Sequence, residues 1–415
     1  MNTGKIFVYG FLAVIFALTF TACPTDDTPE ETYGELQFTL INNGTAYRVD
    51  GSYHYFSAEN QGYIEGYVGG EVIIPAYYND LPVTSIGSFS DCIRLTGVII
   101  PATITRIGSF SNCTGLTSIT IPASVTSIGW TAFQGCTRLT NIIVADVNPH
   151  YSSENEILYN KDKTTIVAYP SASGDVTIPD SVTSIGGYAF SDCTSLTSIT
   201  IPASVTSIGW YAFFRCTSLT SITIPAGVTS IDNAAFFRCT SLTSVTFAEG
   251  SQLTSIDIVA FSDTSLTSIT IPDSVTSIGS GAFSGCTSLI SINIPEGVTF
   301  IGNSAFSGCT SLISINIPEG VTFIGNSAFS GCTSLASINI PASVTSIWES
   351  AFSGCTKLLS VNIPAGVTSI LERAFAGFNT TQLIIIQGKA NQAAADAAWG
   401  AGWREDCNAI INYSE

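Results

Sequence analysis

The sequence predicts a β-rich solenoid of short strands and turns, closed by a cap at each end. Three observations carry this prediction. A unit of 23 residues, seen in Ile201–Thr223 as IPASVTSIGWYAFFRCTSLTSIT, begins again at Ile178, Ile224, Phe247, Ile271, Ile294, Ile317, Ile340 and Ile363. The step is 23 residues each time except after Phe247, where it is 24, and residues 290–312 and 313–335 are identical. A fixed period of this size marks a stacked-repeat architecture. Apolar residues also keep one phase: Ile201, Val205, Ile208, Ala212, Phe213, Cys216, Leu219 and Ile222 return as Ile224, Val228, Ile231, Ala235, Phe236, Cys239, Leu242 and Val245. Finally, each short β-pattern runs into a proline, as at Pro225, where it can end a strand but could not sit inside a ladder.

Each element of the unit has a physical reason. Along a strand, Ile222 and Ile224 point to one face, and Ser221 and Thr223 to the other. One unit buries too few apolar side chains to offset the ordering of its backbone, so its faces must be covered by neighbouring copies. The Leu219, Ile222, Ile224 spacing (L-x-x-I-x-I) is that of a leucine-rich repeat. About 13 coils follow, degenerate ones included, over residues 74–385.

The recurring string I-P-x-S/G-V-T-S-I-G-x-x-A-F-x-x-C-T-S-L, as in residues 178–196 and 271–289, resembles the BspA-like, treponemal type of leucine-rich repeat. The match runs over roughly residues 72–385. The resemblance implies a surface-exposed or secreted protein, and several members of that family resemble adhesins for host matrix proteins or other bacteria.

The N-terminus reads as a secretion signal. Residues 6–22 form an apolar run after Lys5, too short for a spanning helix and ending in small residues. The F-T-A-C ending resembles a bacterial lipoprotein signal, which predicts a signal over 1–22 and lipidation of Cys23. Phe20 stands where such signals usually carry Leu. Residues 23–35 are an acidic, proline-containing tether with little to bury. Residues 36–73 form a leading β cap: Leu36–Ile41 and Ala46–Val49 flank the hairpin signal Asn42-Asn43-Gly44, and Tyr53, Tyr55, Phe56, Tyr63 and Tyr67 make the segment aromatic.

Residues 144–177 break the period and read as a longer variant coil, with a hairpin turn at Asn160-Lys161-Asp162-Lys163. Insertions of this kind map to one face of a solenoid and can touch partners. The trailing cap, residues 386–415, holds a short helix over Asn391–Trp399 with Gly400 at its end. A last strand over Cys407–Ile411 follows, with Trp399 and Trp403 over the final coil.

Ten of the 12 cysteines (92, 113, 136, 193, 216, 239, 286, 309, 332 and 355) share one repeat position. None forms a C-x-x-C pair, which disfavours zinc. In-register neighbours would lie about 4.8 Å apart, wider than the usual Cβ separation of a disulfide, so buried free thiols are expected. Export leaves disulfides as the alternative.

Little in the chain suggests chemistry. His54 and His150 lie far apart, and no G-x-S-x-G elbow accompanies a His and an acid. Acidic residues within the repeats, such as Asp180, Asp192, Asp273, Glu296 and Glu319, read as solvated substitutions. No catalytic residue, metal or cofactor is assigned. Charged residues are 11% of the chain and the net charge is −18, which offers no basic field for nucleic acid or anionic lipid.

Recognition is the function left. The outward strand positions form rows of Ser198, Ser221, Ser244 and their successors, and of Thr200, Thr223, Thr246 leading to Asn293, Asn316 and Asn339. They read either as a soluble strand surface or as an extended docking face. Variable positions are more informative, because the scaffold does not fix them. The middle coils carry Tyr188, Trp210, Tyr211, Phe214, Arg215, Phe237 and Arg238 where later coils carry Ser, Gly and Asn. That is the composition of an interface hot spot, although rings at such positions can also serve packing between coils. Phe300 and Phe323 are a second, weaker candidate. The reading is a monomeric, lipid-anchored surface protein that binds protein or glycan ligands in adhesion. An architectural spacer and a surface hydrolase on a solenoid frame are the alternatives.

Overall fold

The computed structural model describes residues 36–56, 63–67 and 70–414. The signal, Cys23 and the tether lie outside the described residues. The chain is a β-solenoid of about 15 turns, mostly strand, with one short helix near the C-terminus. The repeat gave about 13 of these turns, degenerate coils included, 11 of them marked by an I-P step. At the C-terminal end the strands Leu383–Gln387 and Ile410–Ser414 carry the ladder past the last consensus coil. The described residues form two compact units: those up to 163 with 168–171, and 164–167 with 172–414.

The first unit opens with the hairpin Gln37–Ile41 and Ala46–Asp50, antiparallel around a 3-10 turn at Asn42–Gly44. Its second strand runs parallel to Leu81–Ser88, which joins the hairpin to the first coil. The Phe38 ring stacks on Tyr78 at 4.0 Å, with Tyr47 edge-on to both. Ser52–Phe56 and Tyr63–Tyr67 form a second antiparallel pair. The variant segment holds an antiparallel hairpin, Tyr151–Glu154 against Ile157–Asn160, that turns at Asn155-Glu156, ahead of the turn the sequence suggests at Asn160–Lys163. Fully buried Asn148 ties its start to the coil before it: the side-chain amide donates to Pro122 O and Val125 O, and Oδ1 accepts from the His150 and Tyr151 N–H groups. Four hydrogen bonds to one buried amide satisfy it completely.

In the second unit each coil contributes a short strand to a parallel ladder and a two-residue strand to a second one. The ladders are in register: Ser291, Ser314 and Ser337 pair across coils, as do Asn293, Asn316 and Asn339. Alternation follows the sequence pattern, with Ile222 and Ile224 buried and Ser221 and Thr223 exposed. Ile201 is half-buried, whereas its equivalents Ile178, Ile271, Ile294 and Ile317 are buried. The core is a column of phenylalanines. Phe190, Phe213, Phe236, Phe261, Phe283, Phe306, Phe329, Phe352 and Phe375 stack with centroids 5.1 to 5.7 Å apart.

The repeat cysteines are free and buried. Most donate Sγ–H to the carbonyl of the phenylalanine one coil back, as Cys239 does to Phe213 O at 3.0 Å and Cys309 to Phe283 O at 3.1 Å. Burial raises the thiol pKa, to about 11 at Cys286 and about 12 at Cys332. In the coil without a cysteine, Thr264 is 3% exposed, and its hydroxyl donates to Phe261 O and meets Cys286 Sγ at 3.2 Å. A small side chain with one donor meets the packing need there.

The trailing end closes the column. Asn391 caps the helix Gln392–Trp399 by accepting from Ala394 N, and Gly400 ends it at φ 76°. Trp403 is fully buried and meets Phe375 edge-on, and its Nε1 donates to Asp396, which also accepts from Arg404. The last strand, Ile410–Ser414, pairs parallel with Leu383–Gln387 and starts three residues later than the sequence suggests. Residues 407–409 are used to turn back onto the sheet.

Candidate recognition surface

The turn after each I-G step sets the geometry of the surface. Every coil of the second unit has two residues in the left-handed region, one just before Ala-Phe and one just before the cysteine position. The first is Tyr188, Tyr211, Ala234, Val259, Gly281, Ser304, Ser327, Ser350 and Arg373 in succession. The second is Asp192, Arg215, Arg238, Asp263, then Gly285, Gly308, Gly331, Gly354 and Gly377. Glycine is the residue this backbone favours, and an L-residue there costs roughly 1–2 kcal/mol. Tyr188, Tyr211, Arg215 and Arg238, with φ between 56° and 60°, are four such residues.

All seven residues singled out in the sequence come together on successive coils. Tyr188 stacks flat on Tyr211 at 4.9 Å, and Tyr211 meets Phe214 edge-on at 5.6 Å. Phe214 leans on Phe237 of the next coil at 5.6 Å. Trp210 packs edge-on against Tyr188 and is 42% exposed. Gly187 makes room for it, since a Cβ there would lie 2.5 Å from the indole nitrogen. The Arg215 guanidinium lies 5.9 Å from the Phe214 ring and that of Arg238 5.0 Å from Phe237. Trp210, Arg215 and Arg238 are exposed, whereas Tyr188, Tyr211, Phe214 and Phe237 are half-buried. The rings therefore support one another, with the indole and the two guanidinium groups outermost. Burial, and then the neighbouring Tyr211, raise the Tyr188 hydroxyl pKa, so it stays a neutral donor.

Sequence reasoning missed the acidic partners. Asp192, expected to be a solvated substitution, is 9% exposed and pairs with Arg215 Nε at 3.5 Å. Its left-handed backbone tucks the carboxylate against the next coil, where its N–H donates to Phe214 O. Asp263 holds Arg238 Nε from the other side at 3.4 Å. The signal was available: Asp192, Arg215, Arg238 and Asp263 occupy one repeat position, giving the order acid, base, base, acid down the column. The second candidate, Phe300 and Phe323, stacks at 5.3 Å and continues onto Trp348, which stands where other coils have the glycine of I-G.

Comparison with known proteins places the chain. No curated protein matches it. A leucine-rich repeat protein from Bacteroides ovatus is 28% identical, with a TM-score of 0.56 over 88% of this chain and 99% of that one. A leucine rich cell surface protein from Faecalibacterium prausnitzii is also 28% identical, with a TM-score of 0.43 over 95% and 96% of the two chains. The T. pallidum leucine rich repeat protein is 22% identical, with a TM-score of 0.29 over 75% and 91%. The BspA type leucine rich repeat model matches residues 84–173, 169–290 and 277–394. Repeats of this kind are non-enzymatic scaffolds that point to protein binding or adhesion in general. With the 23-residue coil, its stacked phenylalanines and this match over most of its length, the chain belongs to the BspA type leucine rich repeat family.

Proposed function

We propose that this is a recognition protein of the bacterial cell surface, which uses the aromatic and arginine strip from Tyr188 to Arg238 to bind protein or glycan ligands in adhesion. A lipid on Cys23 would hold it to the outer membrane, with secretion without a lipid as the second choice. The membrane is met through that lipid alone; among the described residues no helix is long and apolar enough to cross it. The chain acts as a monomer and carries no catalytic centre.

One observation supports the site above all. Four of its seven residues occupy left-handed positions, and at the second of these, that of Arg215 and Arg238, every coil from Gly285 onward has glycine. The fold does not need arginine at that second position, so Arg215 and Arg238, held there at a local energetic penalty, fit a role outward rather than inward. The half-buried rings hold the outer groups in fixed positions, which lowers the entropy lost on binding.

The test is a screen of residues 24–415 against immobilised matrix proteins and bacterial cells, followed by the triple variant Trp210→Ala, Tyr211→Ala, Arg215→Ala. Loss of hot-spot side chains is expected to weaken binding by roughly a hundredfold while the unfolding midpoint moves little. Equal binding by the two proteins would remove the strip from consideration.

A further inference from the structure

Cations are scarce in this chain, with 13 Lys and Arg against 31 Asp and Glu. Two of them, Arg215 and Arg238, nonetheless occupy the same position of adjacent coils, both exposed. Adjacent coils are about 4.8 Å apart along a solenoid. Like charges so close repel, and each guanidinium is steadied by one carboxylate on its outer side: Asp192 at 3.5 Å from Arg215 Nε, and Asp263 at 3.4 Å from Arg238 Nε. Both ion pairs use Nε. Among the described residues, the terminal nitrogens of neither guanidinium make a hydrogen bond. Each arginine thus meets an acid at Nε and a phenylalanine at its face, and its exposed terminal nitrogens keep N–H groups to donate. A carboxylate fits a guanidinium fork with two parallel hydrogen bonds.

We propose that Arg215 and Arg238 form a carboxylate-binding pair, and that the ligand of the strip is an acidic glycan whose sugars carry carboxylate groups. This rests on the recognition reading given above. Three features favour a sugar over an acidic peptide. The backbone here is committed to coil-to-coil bonds, Tyr188 N to Trp210 O, Tyr211 N to Asn233 O, Arg215 N to Phe237 O and Arg238 N to Ser262 O, so a peptide strand would find few main-chain partners. Trp210, outermost of the rings, offers an apolar surface beside the cations, which suits the C–H face of a pyranose. The outward strand rows of the same coils are hydroxyls and amides with almost no charge, which suits the remaining hydroxyls of a long glycan. The net charge of −18 works against dense polyanions at long range, so spaced carboxylates fit better than a sulfated polymer.

The experiment compares three probes on the full chain: an oligomer of galacturonic acid, the same oligomer with its carboxylates methyl-esterified, and a glutamate peptide of equal charge. The acid oligomer is expected to bind, and its ester roughly tenfold more weakly or worse. The variant Arg215→Gln, Arg238→Gln is expected to bind the acid oligomer no better than wild type binds the ester. Arg215→Gly, Arg238→Gly gives a second variant with the residue later coils use, guarding against a folding defect in the first. Equal binding of acid and ester, or of wild type and both variants, overturns the carboxylate pair. Preference for the glutamate peptide overturns the glycan assignment. If the triple variant at Trp210, Tyr211 and Arg215 abolishes cell binding while the glutamine variant does not, the strip recognises its partner without this pair, and the proposed function stands alone.

Discussion

Replacing Phe306 by alanine is expected to destabilise the chain by about 3–5 kcal/mol. The ring is fully buried between Phe283 at 5.7 Å and Phe329 at 5.5 Å, so its removal opens a cavity that touches two interfaces at once. Stability in a stacked array is close to a sum over coils and nearest-neighbour interfaces. Weakening two adjacent interfaces in the middle of the stack should therefore also split unfolding into two transitions, one for each side of the defect. Phe323→Ser provides the contrast. That side chain lies in a half-exposed row where other coils carry serine, and its loss is expected to change stability by only about 1 kcal/mol. Guanidinium unfolding followed by circular dichroism reads both. A cost below about 1 kcal/mol for Phe306→Ala would mean that the column is not the core.

Raising the pH above about 9 is the second large perturbation. Seven repeat cysteines, 113, 193, 216, 286, 309, 332 and 355, have thiols whose pKa lies above the ordinary 9.0. For most of them desolvation is the first cause; at Cys113 it is the hydrogen bond its protonated thiol makes to Cys136. The sign follows from proton counting. Below pH 9 both folded and unfolded thiols are protonated and the contribution is constant. Between 9.0 and the folded value, about 11 for Cys286 and about 12 for Cys332, only the unfolded chain ionises, so unfolding releases protons and stability falls. Each such thiol removes about 1.4 kcal/mol per pH unit in that window. Urea midpoints measured at about pH 8 and about pH 10.5 should diverge steeply, and Cys286→Thr with Cys332→Thr should flatten the fall by about 1.4 kcal/mol per unit for each replaced thiol. Thr264 already fills the same position in one coil, which makes threonine a tolerated choice. An unchanged pH dependence in the double variant would contradict the thiol account.

Much of this architecture was legible because repetition removes ambiguity. A single L-x-x-I-x-I could belong to several folds, but nine copies at one phase fix both the inward side chains and the parallel register, and Ser291, Ser314 and Ser337 align as the spacing requires. The seven strip residues were visible for the same reason, as departures from the repeated consensus. What the sequence withheld depends on the direction of side chains across coils. The left-handed turn swings Asp192 toward Arg215, which a 23-residue separation does not reveal. It also conceals that Trp348 extends the Phe300 and Phe323 row, since the tryptophan occupies a different repeat position and reaches the row by stacking back. The last strand was placed three residues early because Leu383–Gln387 and Ile410–Ser414 pair as coil strands without the coil's consensus to fix their bounds.

The central claim is that a constant interior leaves the exposed variable side chains of the middle coils free to recognise a ligand. It is tested most directly by measuring, on the same preparations, the unfolding midpoint and the cell-binding affinity of the full chain and of the Trp210, Tyr211, Arg215 alanine variant. The two midpoints should coincide while affinity falls by roughly a hundredfold. Matching affinities, or a loss of binding that merely tracks a loss of folding, would contradict it.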